Sequence, residues 1–235
     1  MLRFWGQPQF YRKSLDPVGY ELFLREGFTD NWNIPTDFGK FTVDQISGLL
    51  IRTVPMLPKS IHNISLNLDI DQFVDPEYQR VLLKVKRQIG HVRLAIELTE
   101  HASDTAIPNI QLLASARTFA HGHLHVILDG VGSGENQLDR VELLNPFVHE
   151  YKFAVQNFRP HSNLKEILPS LTFWHTLAHK NHKLFTIEGI ESKEDLLILS
   201  DYQADMLQGY DLGRPIYLPT LDDPMNDQLE FNYSF

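Results

Sequence analysis

The chain has no cysteine in 235 residues. A disulfide scaffold and a thiolate metal site are therefore both closed to it, and a reducing compartment suits it. It has no excess of positive charge either: 21 Lys and Arg against 30 Asp and Glu leave a formal charge of −9. General nucleic-acid binding needs a basic face that displaces counterions from phosphates, so DNA is not an expected partner. One small dinucleotide held in a local pocket is compatible with this balance. No apolar run reaches membrane-spanning length, and the start, Met1-Leu2-Arg3-Phe4-Trp5, carries no signal-peptide core. These absences lead us to expect a cytoplasmic protein with no membrane partner. Linkers, low-complexity segments and internal repeats are missing too. One domain over residues 1–235 is expected, a length that a large α/β barrel often fills alone.

What is present is a series of short apolar runs, each with a polar oxygen ligand at one end. Glu21 opens Glu21-Leu22-Phe23-Leu24-Arg25, Asn67 ends Ile64-Ser65-Leu66-Asn67, and Glu97 ends Leu94-Ala95-Ile96-Glu97. Asp129 ends Val126-Ile127-Leu128-Asp129, and Glu188 follows Leu184-Phe185-Thr186-Ile187. Continuous apolar runs of this length read as strands buried on both faces. Strands are expected near 18–25, 61–68, 92–98, 123–129, 150–155, 183–188 and 204–207. Helical periods alternate with them over Thr42–Thr53, Pro76–Gln88, Ile110–Ala120 and Leu164–Asn181. A further helix opens at Ser192-Lys193-Glu194-Asp195, with Ser192 as N-cap. Alternating strand and helix points to an α/β fold with a parallel sheet. In a parallel barrel such strand-end ligands converge on the face where active sites lie, and all-oxygen ligands suit Mg²⁺ or Mn²⁺. Any one of these carboxylates, taken alone, is more often an ion-pair or capping residue than a metal ligand.

His121, His123 and His125 alternate along the expected strand at 123–129 and would share one face, as a zinc site requires. They lie at the end away from the carboxylates, so packing or solvent contact is the preferred reading. His175, His179 and His182 fall at helical spacing and read as surface or packing residues.

In order, the motifs resemble the EAL domain, the bacterial module that hydrolyses cyclic di-GMP. Gln7-Pro8 precedes Glu21 at the family's spacing, and Glu21-Leu22-Phe23-Leu24-Arg25 stands for Glu-Ala-Leu-Leu-Arg. Ser65-Leu66-Asn67-Leu68-Asp69 resembles Ser-Val-Asn-Leu-Ser, and Glu97-Leu98-Thr99-Glu100 resembles Glu-Ile-Thr-Glu. Glu188-Gly189-Ile190-Glu191-Ser192 resembles Glu-Gly-Val-Glu-Thr, and Gln208-Gly209-Tyr210 with Pro215 resembles the closing Gln-Gly-Tyr and Pro. The resemblance implies a TIM-like (β/α)8 barrel with the family's modified first strand, which runs against the rest. It implies a first metal on Glu21, Asn67, Glu97 and Asp129, Asp129 also bridging to a second. Lys152 would orient or help deprotonate the attacking water, and Glu188 would be a further ligand or an acid–base partner. Gln208 would orient the outermost contacts, Leu24 and Arg25 would touch the nucleotide, Gln7 and Glu191 would support it, and Glu100 would steady the loop after Asp129.

Three departures matter. The family follows its fourth ligand with a second aspartate, and here that position is Gly130, in Asp129-Gly130-Val131-Gly132-Ser133-Gly134. The glycine spacing is kept, so the turn is expected to survive; Glu135 is the candidate replacement carboxylate. Lys152 lies about two residues beyond the family's spacing from Gly134, an insertion assigned to the loop at Asn145-Pro146, and the aspartate that follows the lysine is replaced by Ala154. Few residues precede Gln7 where the family usually has a helix, so that face of the barrel is expected to be uncovered or covered by a second subunit. The stretch after Pro219, with Asp222, Asp223, Pro224, Asn226 and Asp227, is expected to be partly disordered as far as Phe231. The implied function is a phosphodiesterase opening cyclic di-GMP to linear pGpG at reduced rate. The alternatives are an impaired module that binds cyclic di-GMP, or one that binds a protein. A homodimer and a regulatory protein partner are the further expected partners.

Overall fold

The first helix starts where its side chains can close it. Thr42 Oγ1 accepts from the Gln45 amide at 3.3 Å, and Gln45 Oε1 accepts from the Thr42 amide at 2.9 Å. This reciprocal cap satisfies amides that a helix start leaves open. Asn163 and Glu166 repeat the device at 3.3 and 3.0 Å, and Ser192 Oγ caps Asp195 at 3.1 Å. The computed structural model describes residues 1–28, 31–90 and 92–224. In chain order the elements are β1 (Leu2–Tyr11), β2 (Pro17–Phe28), β3 (Asn31–Asn33), α1 (Val43–Thr53), β4 (Asn63–Leu68), α2 (Ile70–Val74), α3 (Pro76–Gln88) and β5 (Arg93–Leu98). They continue with α4 (Asn109–His121), β6 (His125–Leu128), α5 (Leu138–Leu144), β7 (Glu150–Ala154), α6 (Val155–Phe158), α7 (Leu164–Lys180), β8 (Leu184–Glu188), α8 (Lys193–Leu199), β9 (Met206–Leu207) and β10 (Ile216–Leu218).

Eight strands close a barrel. β2, β4, β5, β6, β7, β8 and β9 pair in parallel, and β1 closes the ring by pairing antiparallel with both β2 and β9. β3 and β10 attach outside the ring, on β2 and β1. This is the TIM-like (β/α)8 barrel with one reversed strand. Helices cover the outside through one continuous apolar core, with Leu50, Leu82, Phe119, Leu171 and Trp174 facing the strands. Among the described residues, no helix is long and apolar enough to cross a membrane.

Two expectations needed correction. β1 was absent from the expected strands because Arg3, Gln7, Pro8 and Gln9 break its apolar character, and proline normally argues against an inner strand. On the edge of β1 away from β2, Pro8 falls between the β10 pairing at Phe4–Gly6 and the β9 pairing at Phe10–Tyr11. Its missing N–H therefore costs that edge no ladder bond. The stretch after Pro219 is held rather than loose as far as residue 224. Arg3 donates to Asp223 at 2.7 Å, Tyr217 Oη donates to Asp223 at 2.7 Å, and Arg52 pairs with Asp222 at 3.0 Å. The Asp223 carboxyl sits below its ordinary value because these donors outweigh the effect of burial. Asn226, Asp227 and Phe231 lie outside the described residues.

Candidate active site

Strand alternation sends residues two apart to the same face, and the inner face at the C-terminal rim collects most of the expected ligands. Glu21 comes from β2, Asn67 from β4, Glu97 from β5, Asp129 from the residue after β6, Lys152 from β7, Glu188 from the end of β8 and Gln208 from the residue after β9. Their centre is the Lys152 ammonium, fully buried, 2.6 Å from Glu97, 2.8 Å from Glu21, 2.9 Å from Glu188 and 3.8 Å from Asp129. Glu21 is the acceptor hub: besides Lys152 it receives Asn67 Nδ2 at 2.6 Å and Gln208 Nε2 at 2.7 Å.

The charges do not balance. Four carboxylates share one lysine. Burial, which pushes the Lys152 pKa down, is outweighed by Glu188, Glu21 and Glu97, so the ammonium is held well above its ordinary value. Burial also pushes the Glu21 carboxyl up, but Lys152, Asn67 and Gln208 together hold it below normal. Glu97 has no such surplus of donors, and burial and the neighbouring Glu21 raise it to about 8. Burial and Glu188 raise Asp129 as well. Carboxyls raised by one another mark a surplus of negative charge, which a divalent cation would neutralise. Asn67 Oδ1 and Asp129 Oδ1 are buried and accept no hydrogen bond. An oxygen-only donor set with free acceptors fits a hard cation. Among the described residues no three His, Asp or Glu side chains already form a closed cage. Lys152 stands between Glu21, Glu97 and Glu188, so the fit is one of chemistry rather than of preset geometry.

Above this layer lies a cavity of about 530 Å³ bordered by Gln7, Leu24, Arg25, Glu191, Gln208 and Tyr210, within the range of small-molecule sites. Arg214 stacks over the Tyr210 ring at 4.8 Å. The loop after Asp129 turns through three left-handed glycines, Gly130, Gly132 and Gly134, as the glycine spacing led us to expect. Glu100 meets this loop: its carbonyl accepts from the Glu135 amide at 2.8 Å, and its carboxylate accepts from Asn157 at 2.6 Å. Glu135 itself is half exposed, pairs with Arg140 at 3.1 Å and is not part of the cavity wall, so it does not replace the missing carboxylate.

The histidine trio is not a site. The chain turns left-handed at His123, so His121 ends α4, and only His125 lies on β6, where its ring stacks on His149 at 4.2 Å. His175 and His179 sit a turn apart on α7 with their Nε2 atoms 2.9 Å apart, and His182 is in the turn that follows.

Several supporting side chains carried no motif signal. Gln9 donates to Gln208 at 3.3 Å, Gln156 donates to Glu188 at 2.9 Å, and Asn136 donates to the Leu98 carbonyl at 3.0 Å. Gln9 shares the face of Gln7 two residues away, which becomes visible once Leu2–Tyr11 is taken as a strand. One layer below, Glu150 is buried, accepts from Thr186 at 2.6 Å, and burial raises its carboxyl to about 7. The stability attached to its protonated form is fully present below the unfolded value near 4.5 and is lost as pH rises through 7. Glu150→Gln keeps the acceptor for Thr186 without the charge. It is expected to leave stability unchanged near pH 4 and to raise it by about 2–3 kcal/mol at pH 8. Thermal melts across that range check this; equal melting temperatures at pH 8 would remove the buried charge from the account.

A (β/α)8 barrel with an acidic, lysine-centred site on the C-terminal ends of its parallel strands is the class these features define. The chain belongs to the EAL domain family, whose model matches residues 2–215. No curated protein matches the chain. Among solved structures, the PaMucR phosphodiesterase in complex with c-di-GMP superposes with a TM-score of 0.75 at 20% identity, covering 92% of each chain. The EAL enzyme Bd1971, with cAMP and cyclic di-GMP bound, also gives 0.75, at 16% identity over 92% of this chain and 62% of that one. The Bacillus subtilis YkuI protein, with an EAL domain and in complex with substrate c-di-GMP and calcium, gives 0.72 at 20% identity over 94% of this chain and 57% of that one. This chain thus spans about three-fifths of Bd1971 and YkuI. At these identities the likeness establishes the fold.

Proposed function

We propose that this protein binds cyclic di-GMP in the rim cavity and hydrolyses one of its phosphodiesters to give linear pGpG, with Mg²⁺ or Mn²⁺, as a cytoplasmic signalling enzyme. The observation that carries the reading is the Lys152 ammonium within 2.9 Å of Glu21, Glu97 and Glu188, directly under a cavity bordered by Leu24 and Arg25. Glu21, Asn67, Glu97 and Asp129 would hold the cation. A bound divalent cation supplies Lewis acidity at the phosphate. Arg25 suits a phosphate or a guanine edge through its planar fork of donors, and Gln7 and Glu191 border the same space. Lys152, kept protonated by its carboxylates, orients the attacking water as a donor and does not take its proton. Glu188, fixed by Lys152 and Gln156, is the acceptor for that proton. The water oxygen bonds to phosphorus, the P–O3′ bond breaks, and the leaving O3′ takes a proton from solvent water, which balances the one passed from the attacking water to Glu188.

Gly130 favours a second reading, an impaired module that binds the dinucleotide without efficient turnover, because a glycine offers no oxygen beside Asp129. Calorimetric titration of cyclic di-GMP in Ca²⁺ and then in Mn²⁺, with the Mn²⁺ sample assayed for pGpG, separates the two. Binding with product is expected. Binding without product makes the protein a receptor, and no binding in either metal removes both readings.

Restoring the carboxylate has a structural cost. At Gly130, φ is +58°, and an added Cβ would lie 2.9 Å from Asn157 Nδ2 and Ser133 Oγ and 3.0 Å from Glu100 Cδ. Aspartate tolerates this backbone better than most residues, but the side chains of Asn157, Ser133 and Glu100 must shift to admit it. Gly130→Asp is expected to raise Mn²⁺-dependent turnover while lowering stability by about 1–2 kcal/mol. Paired assays of rate and melting temperature check both halves. Unchanged turnover in a folded variant would show that residue 130 does not limit the rate.

A further inference from the structure

Two residues before Glu21, Asn67 and Glu97 stand Gly19, Ser65 and Ala95, on the same inner face but one layer toward the N-terminal ends of the strands. Barrels of this type normally fill each layer with bulky branched side chains. Ser65 and Ala95 leave room here for a second cavity of about 530 Å³, walled also by Ile127, Glu150 and Met206. It opens at the opposite end from the rim site, and the two share no lining residue.

The mouth and the floor have different chemistry. Arg12, Lys13 and Arg93 border the mouth with the imidazoles of His125 and His179. Among the described residues none of the three cations makes a salt bridge, although Arg12 Nε donates to the Ala204 carbonyl at 3.2 Å. The acid at the mouth, Asp205, accepts from the Phe185 amide at 2.8 Å. On a chain of net charge −9, three cations that border one cavity and make no salt bridge attract an anion. At the floor, Glu150 accepts a hydrogen bond from Thr186 and offers further acceptor capacity to whatever enters.

We propose that this cavity is a second small-molecule site, taking a compact metabolite whose phosphate or carboxylate is held by Arg12, Lys13 and Arg93 and whose hydrogen-bond-donating end reaches Glu150. Cations bordering a half-open cavity with polar groups in its wall supply the charge-assisted contacts such an anion needs. The site neither requires the rim carboxylates nor depends on hydrolysis of a dinucleotide.

Met206 provides the reporter. The chain has four methionines, at positions 1, 56, 206 and 225, and Met206 lines this cavity. Protein labelled with ¹³C at the methionine methyls is titrated separately with inorganic phosphate, glutamate and AMP. At least one is expected to move the Met206 resonance saturably while Met56 stays fixed. A response to phosphate and AMP alone assigns a phosphate ligand, and a response to glutamate alone assigns a carboxylate. Arg93 is exposed, so Arg93→Glu leaves the core intact, and it is expected to weaken the binding about tenfold or more. A Met206 resonance unmoved by all three probes overturns the proposal, as does a shift that Arg93→Glu leaves unaltered.

Discussion

Lys152→Met is expected to abolish hydrolysis and to lower the melting temperature in metal-free buffer by about 6–20 °C. Lysine and methionine have similar length, so the change removes the charge, two hydrogen bonds and a further ion pair with Glu188 without opening a large void. What stays behind is the problem. Glu21, Glu97 and Glu188 lie within 2.9 Å of the lost ammonium, with relative side-chain exposures of 5%, 0% and 8%. Deleting one partner of a buried ion pair costs about 3–5 kcal/mol, because the other charge is left uncompensated. For a domain of this size each kcal/mol moves the melting point by about 2–4 °C. Added Mn²⁺ is expected to restore part of the stability, since a cation among the same carboxylates meets the same need, while activity stays lost. Melting curves with EDTA and with Mn²⁺ test this. A variant that melts within a degree of the wild type in EDTA would place Lys152 outside the carboxylate cluster in solution.

Glu21→Gln is the second large effect. Glutamine has the same shape, but its new NH₂ donor faces either Asn67 Nδ2, at the Oε1 position, or both Gln208 Nε2 and Lys152 Nζ, at the Oε2 position, and all three are donors already. Asn67 can meet the new donor only by turning its amide to present Oδ1, which otherwise accepts no hydrogen bond, and the full charge is gone in either case. Turnover is expected to fall by about three orders of magnitude. Mn²⁺ affinity, read independently by calorimetry, is expected to weaken by about 10–100-fold. Leu24 and Arg25 still border the cavity, so cyclic di-GMP binding is expected to persist. Wild-type turnover in this variant would remove Glu21 from the reacting centre.

The parts of this molecule that were legible in the sequence are those written in local periods. The helices begin at Thr42, Asn163 and Ser192 because their side chains cap the next turn, a pattern contained within a few residues. The positions of Asn67, Glu97 and Glu188 at or next to strand ends follow from apolar runs of strand length, whereas Glu21 lies within β2. The parts that were not legible depend on residues far apart in the chain. Leu2–Tyr11 did not read as a strand because Gln7 and Gln9 face a polar barrel interior, where the usual alternation of apolar-in and polar-out is inverted. His121, His123 and His125 read as one face because nothing local announces the left-handed turn at His123. Asp223 read as part of a loose tail because its partner, Arg3, lies 220 residues away.

By itself the sequence determined the α/β class, the order of the carboxylates and the family likeness, since each rests on short-range pattern and on residue identity. Tertiary structure alone decided that Lys152 stands among those carboxylates despite its shifted spacing. It also decided that Glu135 turns away to Arg140, and that small residues beneath the rim leave a second cavity with a cationic mouth. The physical reason is that burial, charge compensation and open volume are properties of side chains brought together from different strands. Barrel closure joins those strands across gaps such as the 187 residues between Glu21 and Gln208, and no local period in the chain records that convergence.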